Sequence, residues 1–569
     1  MFLSRLIIEN FRCIGKLDLS FIKGVNTIIG ENNCGKTTII DAIRLILGVA
    51  IPRKEIYVSQ EDFHIDAFGT TASTIKLTAF FIPETEIEKA LLYELLVIQS
   101  ETDHLLQLTL SFSRDKRDKI RMQVWGGEKE GQPVTTEALE LLQFVYLNAL
   151  RDAENALRPC KNSRIGALLE NLSEDSAGRN IDSTHREQLA KKLDDVINGQ
   201  EEWTSLKNHG EKQINDNLEN MSLIGDQTKI KLDFLPYDFR GIVNNLQMQV
   251  IVNDLFGDQK HQLSQNGLGY NNLLYIATIL GDLVNRKSKV DKDSYFALLI
   301  EEPEAHLHPQ LQALLFEYIN TINDSDIQVF ITSHSPTLTA KVDISSLLIL
   351  HRNASNISVL PIRNSPLDDD DTKFLTKFLD VTKSQLLFAK GVILVEGISE
   401  ALLLPELAKK IDIDLCKSGV ELVNLGGTSF SHFGKLYNSS EETERLSAHC
   451  SIISDDDREA DGTFPARVQN LKRLPANNLK VFLAETTFEY ELYLSNPDTM
   501  ETVYRELHPQ LSLTGSMEEK GHSFVAKLNS NKDKSELAYR LTKKLSDELI
   551  DFTVPEYLQE AIRWSTPNV

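Results

Sequence analysis

The chain has 569 residues, 41% hydrophobic and 25% charged, with a formal net charge of -23 at pH 7. That length exceeds a single hydrophobic core and implies roughly two to four globular domains of ordinary composition. The acidic balance excludes a protein that coats nucleic acid by bulk electrostatics, and no apolar stretch approaches the roughly eighteen residues of a membrane span.

In chain order, residues 3–9 and 25–29 read as strands and Lys36 to Leu47 as a helix. Further strands are predicted at Ile75–Phe81, in a hairpin of Gln107–Phe112 with Ile120–Trp125 across the charged turn Arg114–Lys119, and at Gln143–Leu147. From Asn162 to Met221 the texture turns polar and helical, with Leu168, Leu169, Leu172, Leu189, Leu193 and Val196 at helical spacing. This stretch reads as a solvated helical insertion or a dimerisation arm. Strand and helix texture returns over 228–350. The segment Arg363–Leu367 followed by four aspartates, Asp368 to Asp371, reads as a solvated linker. Beyond it, Val392–Val395, Ser399–Lys410, Glu421–Leu425, Cys450–Ser454 and Lys480–Leu483 alternate as strands and helices of a small α/β domain. The five cysteines (Cys13, Cys34, Cys160, Cys416, Cys450) form no Cys-x-x-Cys pair and no signal-peptide pattern opens the chain. A reducing, cytoplasmic setting is therefore expected, without a disulfide framework or zinc site.

Gly30-Glu31-Asn32-Asn33-Cys34-Gly35-Lys36-Thr37 fits G-x-x-x-x-G-K-[ST] between a strand and a helix. Backbone N–H groups from Asn32 to Thr38 and the helix N-terminus can cradle phosphates there. Lys36 would neutralise the β/γ-phosphates and the Thr37 hydroxyl would ligate Mg2+; Thr38 completes the first turn. The apolar strand Tyr295–Ile300 runs into Glu301-Glu302-Pro303-Glu304, a Walker B pattern in which Glu301 holds the Mg2+ shell and Glu302 orients water. Ile327–Ile331 leads to His334, placed to contact the γ-phosphate. Upstream, Leu263–Gly269, with Ser264 and Gly267, stands where an ABC-type signature loop would donate to nucleotide on a second subunit.

A second constellation lies in the C-terminal half. The run Gly391–Val395 ends in Glu396, with Glu400 four residues on, and Cys450–Ser454 ends in Asp455-Asp456-Asp457. Residues i and i+4 share a helix face and i and i+2 a strand face, so four carboxylates are expected to converge on one divalent ion.

The first half resembles the ABC-type ATPase heads of the RecF, SMC and Rad50 group, without the long coiled coil of the SMC and Rad50 proteins. His306 and His308 fall in what looks like that group's dimer-contact loop. The C-terminal half resembles a Toprim domain. Together, on Val395–Glu400, Gly426-Gly427-Thr428, Ser454–Arg458 and Thr487–Leu492, the chain resembles the OLD (overcoming lysogenisation defect) nucleases, which include the nuclease subunit of Gabija defence systems. The resemblance implies an α/β architecture: an ABC ATPase over 1–160 and 226–365, a helical insertion over 161–225, a linker over 366–385 and a Toprim nuclease domain over 386–569. It implies two Mg2+ or Mn2+ ions, the first on Glu396, Glu400, Asp455 and Asp457, the second on Thr487 and Glu489, besides one with ATP. It also implies a catalytic lysine, Lys520 in preference to Lys527. The implied activity is ATP-regulated DNA endonuclease action by a homodimer or tetramer in antiphage defence, alone or with a helicase or other partner. The rival reading is a RecF-like repair scaffold whose Toprim domain binds DNA without cutting.

Overall fold

The computed structural model describes residues 1–51, 56–98, 100, 104–115, 119–148, 153–160, 163–170, 172, 181–221, 229–232, 237–254, 257–289, 294–305, 307–322, 327–353, 356–380, 382–427, 429–458, 463–510, 512–528, 531–547 and 550–567. His306, Thr428 and residues 116–118 of the charged turn lie outside them. The chain divides into two units, one of residues 1–144, 297–304 and 309–569, the other of 145–296 and 305–308.

The first unit begins with β1 (Phe2–Phe11), β2 (Ile14–Ser20), β3 (Val25–Gly30), β4 (Thr74–Ile82), β5 (Leu96–Ile98), β6 (His104–Arg114) and β7 (Ile120–Gly126). All but β3 form an antiparallel sheet in the order β2-β1-β4-β6-β5, with β7 also on β6. The expected hairpin is β6 with β7, in register from Leu108↔Gly126 to Arg114↔Ile120.

β3 joins a second, mainly parallel sheet with β8 (Tyr295–Glu301), β9 (Gln328–Ser333), β10 (Leu347–Asn353) and the antiparallel edge strand β11 (Asn356–Pro361), in the order β11-β10-β3-β9-β8, with the strand Leu142–Leu147 next to β8. Every residue of β3, β8 and β9 is buried, as a parallel sheet covered on both faces requires. Helix α1 (Lys36–Leu47) follows β3 after the loop 31–35 and buries ten of its twelve residues.

In the other unit, α2 (Ser183–Asn198) and α3 (Glu201–Met221) confirm the helical texture read from the sequence, and Gln249–Asp254 pairs with Gly257–Gln262. Leu189, Leu193 and Val196 of α2 stay exposed, so their stripe is not spent on an internal core.

The expected solvated linker is instead folded. Asp368 caps α4 (Asp369–Phe378) in a reciprocal capping box with Asp371. Asp371 is buried, accepts from His432 Nδ1 at 2.7 Å and pairs with Lys435. Consecutive aspartates favour a helix N-terminus, where backbone N–H groups and the dipole stabilise negative charge; the run was misread as a charge block.

The C-terminal domain is built on four parallel strands, β12 (Gly391–Val395), β13 (Val420–Asn424), β14 (His449–Asp455) and β15 (Leu479–Ala484), in the order β13-β12-β14-β15. Helices cover it: α5 (Ile398–Lys410), α6 (Ala466–Leu471), α7 (Phe488–Ser495), α8 (Met517–Lys527), α9 (Asn531–Asp547) and α10 (Glu556–Ser565). Leu404, Leu407, Phe488, Phe524, Leu541 and Leu558 meet in one core. α10 lies tight on the sheet: Ser565 Oγ donates to Val392 O at 2.9 Å, and Ser451 Oγ donates to Ala561 O at 2.7 Å. A Cβ on Gly391 would stand 1.8 Å from Ser565 O, a backbone atom that cannot swing aside. Gly391→Ala is therefore expected to cost about 3 kcal/mol and to loosen α10, read as faster limited proteolysis of the C-terminal segment; wild-type protection would contradict this packing.

Candidate nucleotide and acidic sites

At the first site, β3 delivers the chain into the loop that ends at α1. Gly30 has φ +153°, and a Cβ on it would meet Leu350 O at 2.6 Å, so only glycine permits this turn. Lys36 Nζ donates to Gly30 O and Glu31 O, each at 2.8 Å, and lies 3.2 Å from His334 Nδ1. On the far side of the ring, His334 Nε2 stands 3.3 Å from Glu302 Oε1. Burial, then the Lys36 charge, pulls the His334 pKa down, favouring a neutral imidazole. Burial likewise lowers Lys36.

A cavity of about 390 Å³ is lined by Asn32, Asn33, Gly35, Lys36, Thr37, Thr38, Glu302 and His334. The structure thus brings eight of the expected nucleotide residues together. Gly30 and buried Cys34 shape the loop behind them, and buried Glu301 ends β8. Ser264 lies in a short 3-10 turn, with open space around Gly267; both belong to the other unit. The sequence reading missed Arg352, whose Nη1 donates to Asn33 O at 3.2 Å, and Cys13, both on the cavity wall.

It also missed Glu304, whose Oε1 accepts from Ser333 Oγ at 2.7 Å and from His334 N at 2.9 Å. Burial raises the Glu304 pKa; the third acid of the Glu-Glu-Pro-Glu run is the one that seats the histidine.

At the second site, the carboxylates gather at the C-terminal ends of β12 and β14. Glu396 follows β12 and accepts from Ser454 Oγ and from Arg467 Nη1, the latter at 2.6 Å. Glu400 sits in the first turn of α5. Burial, then Glu489 and Glu396, pushes its pKa up to about 7. Asp455 ends β14 and accepts from Phe488 N at 2.8 Å. Burial, then Glu489, Glu396 and Glu400, pushes it up to about 8.

Three expectations are corrected here. β14 stops at Asp455, and Asp457 lies beyond it with φ +41°, bound to Arg467 Nη2. The i, i+2 strand argument therefore does not apply, and Asp456 between them is a structural residue, buried and bound by Arg458 Nε at 2.7 Å. Among the described residues no three His, Cys, Asp or Glu side chains are disposed to hold one ion. The expected four-way convergence is replaced by two groups, Glu396 with Asp457 on Arg467, and Glu400, Asp455 and Glu489 facing Lys534. Thr487 and Glu489 lie at a helix start, not a strand: Thr487 caps α7 by accepting from Tyr490 N, while buried Glu489 accepts from Lys534 Nζ at 2.9 Å.

The lysine at the acids is Lys534, not Lys520. Lys520, on α8, makes no ion pair among the described residues, and Lys527 Nζ is bonded to Ser512 O at 2.7 Å. Burial opposes the Lys534 charge, but Glu489, Asp455 and Glu400 together hold its pKa above the ordinary value. A readable signal existed. Residues 534, 538, 541 and 545 share one face of α9, and Ala538, Leu541 and Leu545 are buried; a lysine on that apolar face requires a counter-charge. Tyr557 was also missed. Its hydroxyl is buried without a partner, and burial, then Asp455 and other acids, raises its pKa strongly. Oxygen donors in excess of their internal cations fit a hard divalent ion chemically.

A phosphate-loop head joined to a four-stranded parallel sheet with an acidic C-terminal edge defines an ABC-type ATPase carrying a Toprim domain. Residues 1–339 match the family described as AAA ATPase domain, and residues 387–457 match the overcoming lysogenization defect protein-like TOPRIM domain. The chain is 24% identical to the OLD nuclease of Thermus scotoductus (75% of this chain, 77% of that protein) and 22% identical to the Old nuclease of Escherichia phage P2 (89% and 87%). It is 24% identical to the endonuclease GajA of Bacillus cereus strain HuB5-5 (57% and 56%). The chain belongs to the AAA ATPase domain family, and its residues 387–457 carry an OLD-like TOPRIM domain.

Glu304→Ala removes both hydrogen bonds that seat the Ser333–His334 turn. ATP turnover is expected to fall roughly tenfold with little change in ATP affinity, and Glu304→Gln, which keeps the accepting oxygen, to recover most of it. Wild-type turnover by Glu304→Ala would remove Glu304 from the site.

Proposed function

We propose that this protein is an ATP-regulated, divalent-metal-dependent DNA endonuclease acting in antiphage defence. The observation that carries the reading is the mutually repelling set of buried Glu489 with partly buried Glu400 and Asp455, beside Lys534 at the end of the Toprim sheet. The nuclease names of relatives matched over most of their length support it.

Glu396 and Asp457, once released by Arg467, would close with Glu400 and Asp455 around the first Mg2+ or Mn2+, with Glu489 at the second. Thr487 is already committed to its helix cap. Such ions, when bound, activate water and stabilise the leaving oxygen of a phosphodiester. The Phe488 amide fixes the Asp455 carboxylate, and Ser454 orients Glu396. The Lys534 ammonium supplies positive charge for the phosphate as negative charge grows on it. In the head, Lys36 meets the ATP phosphates, Glu302 orients water, and neutral His334 donates toward the γ-phosphate. Ser264 and Gly267 would complete the nucleotide site of a second copy in a homodimer or tetramer, with the exposed stripe of α2 available for self-association. ATP then acts by favouring one arrangement of paired heads over another.

One observation favours the rival, a repair scaffold that binds DNA without cutting. Internal cations already engage Glu396, Asp457 and Glu489. Supercoiled plasmid incubated with Mg2+ or Mn2+ separates the two. Wild-type protein is expected to nick or linearise it, and Asp455→Asn to lose at least about a hundredfold in rate, since a direct metal ligand is lost, while ATP turnover persists. An intact plasmid at every metal concentration selects the scaffold. Cutting rates are further expected to differ among nucleotide-free wild type, wild type with ATP, and Glu302→Gln with ATP; identical rates would reduce the head to a platform.

A further inference from the structure

One side chain spans the acidic edge. Arg467 donates Nη1 to Glu396 Oε1 at 2.6 Å and Nη2 to Asp457 Oδ2. The two acids come from different strand ends, Glu396 after β12 and Asp457 two residues past β14. Asp457 reaches the guanidinium from a left-handed backbone, φ +41°, a conformation with a real cost for a non-glycine residue. Arg467 and Glu396 are each about three-quarters buried, whereas the Asp457 side chain is 51% exposed.

The two internal cations are anchored differently. Lys534 rises from the long helix α9, whose Leu537, Ala538 and Leu541 are buried in the domain core. Arg467 stands in the first turn of the six-residue helix α6, held by Val468 and Leu471. Lys534 is thus a fixed part of the site, while Arg467 is attached through its tip to the very carboxylates a metal would need. A guanidinium fork fits a carboxylate and a phosphate with the same planar geometry, so this side chain has a second partner once its first is taken. A partly exposed ion pair is also weak enough to be exchanged.

We propose that Arg467 is an exchangeable counter-ion: a divalent ion competes with it for Glu396 and Asp457, and the displaced guanidinium takes a phosphate oxygen of the nucleic-acid strand. The inference rests on the metal reading of the acidic site. It explains why the acids are assembled but not gathered around one point. It also makes metal occupancy and substrate engagement two consequences of one exchange.

The competition has a measurable size. If the paired state holds about nine-tenths of the molecules, apparent metal affinity is weakened roughly tenfold. Mn2+ binding to the nucleotide-free full chain, followed by calorimetry, is compared among wild type, Arg467→Gln, Arg467→Lys, Arg458→Gln and Asp455→Asn. Arg458 pairs with Asp456 and Glu485, so Arg458→Gln removes a nearby charge without freeing either ligand. Arg467→Gln is expected to bind Mn2+ roughly tenfold more tightly, with Arg467→Lys intermediate and Arg458→Gln near wild type. In Ca2+, binding of a fluorescent duplex is expected to weaken severalfold in Arg467→Gln and to recover in part in Arg467→Lys.

Unchanged or weaker Mn2+ binding by Arg467→Gln, with Asp455→Asn abolishing it, refutes the exchange while leaving the metal site standing. An equal gain in Arg458→Gln reduces the effect to general charge and overturns the competition. Undiminished duplex binding by Arg467→Gln overturns the phosphate step. If Asp455→Asn keeps wild-type Mn2+ binding, the metal site itself is misplaced and the inference falls with it.

Discussion

Repulsion among crowded, largely desolvated carboxylates is the constraint on which the C-terminal domain depends. Glu489 is buried, and Glu400 and Asp455 are partly buried, at the end of a parallel sheet whose β12 is wholly buried. Desolvation and mutual repulsion raise Asp455 and Glu400 toward neutral pH. Lys534 offsets part of this from within the core, and backbone N–H groups offset more, as at Asp455. Arg467 draws Glu396 and Asp457 to itself at the rim. Such a cluster is costly as architecture, since a packed apolar edge would serve stability better; its retention makes sense where charge is to be exchanged.

Both sites follow from one property of parallel sheets. Strands that run the same way expose all their loops at one edge, and functional groups collect there. β3, β8 and β9 end in the phosphate loop, the Glu301–Glu302 pair and His334. β12, β14 and β15 lead to Glu396, Asp455 and the Thr487 cap. Non-glycine residues with left-handed backbone recur at these ends, at Asn33, Glu302, Asp457 and Thr486. For Thr486, a β-branched residue, this is a true outlier, and Asp456 Oδ1 holds it by accepting its amide at 3.2 Å. Local strain at these turns aims side chains that regular strands would point elsewhere.

The sequence made the architecture legible where period and punctuation agreed. The run 25–29, the glycine loop and Lys36–Leu47 could fold only one way, and the buried runs at 392–395 and 450–454 became the central strands of the C-terminal sheet. Reading failed where chemistry came from residues without a motif. Arg467 sits ten residues beyond Asp457 in an unremarkable helix start. Lys534 lies in a polar run whose significance appears only when its helical face is drawn. Glu304 hid behind two better-known acids, and Asp368–Asp371 looked like a solvated block although its aspartates cap a helix and bind His432 and Lys435. Spacing rules place residues on faces; they do not reveal where a strand stops, which is why Asp457 was assigned the wrong local geometry.

The central claim is that the acidic edge is a divalent-metal site held in a resting arrangement by its own cations. Crystals of the full chain soaked in Mn2+ and measured at the manganese absorption edge test it most directly. The account predicts anomalous density among Glu396, Glu400, Asp455 and Asp457, with a further peak at Glu489, accompanied by withdrawal of the Arg467 guanidinium. Manganese confined to the phosphate loop, with Arg467 still bridging Glu396 and Asp457, would contradict it.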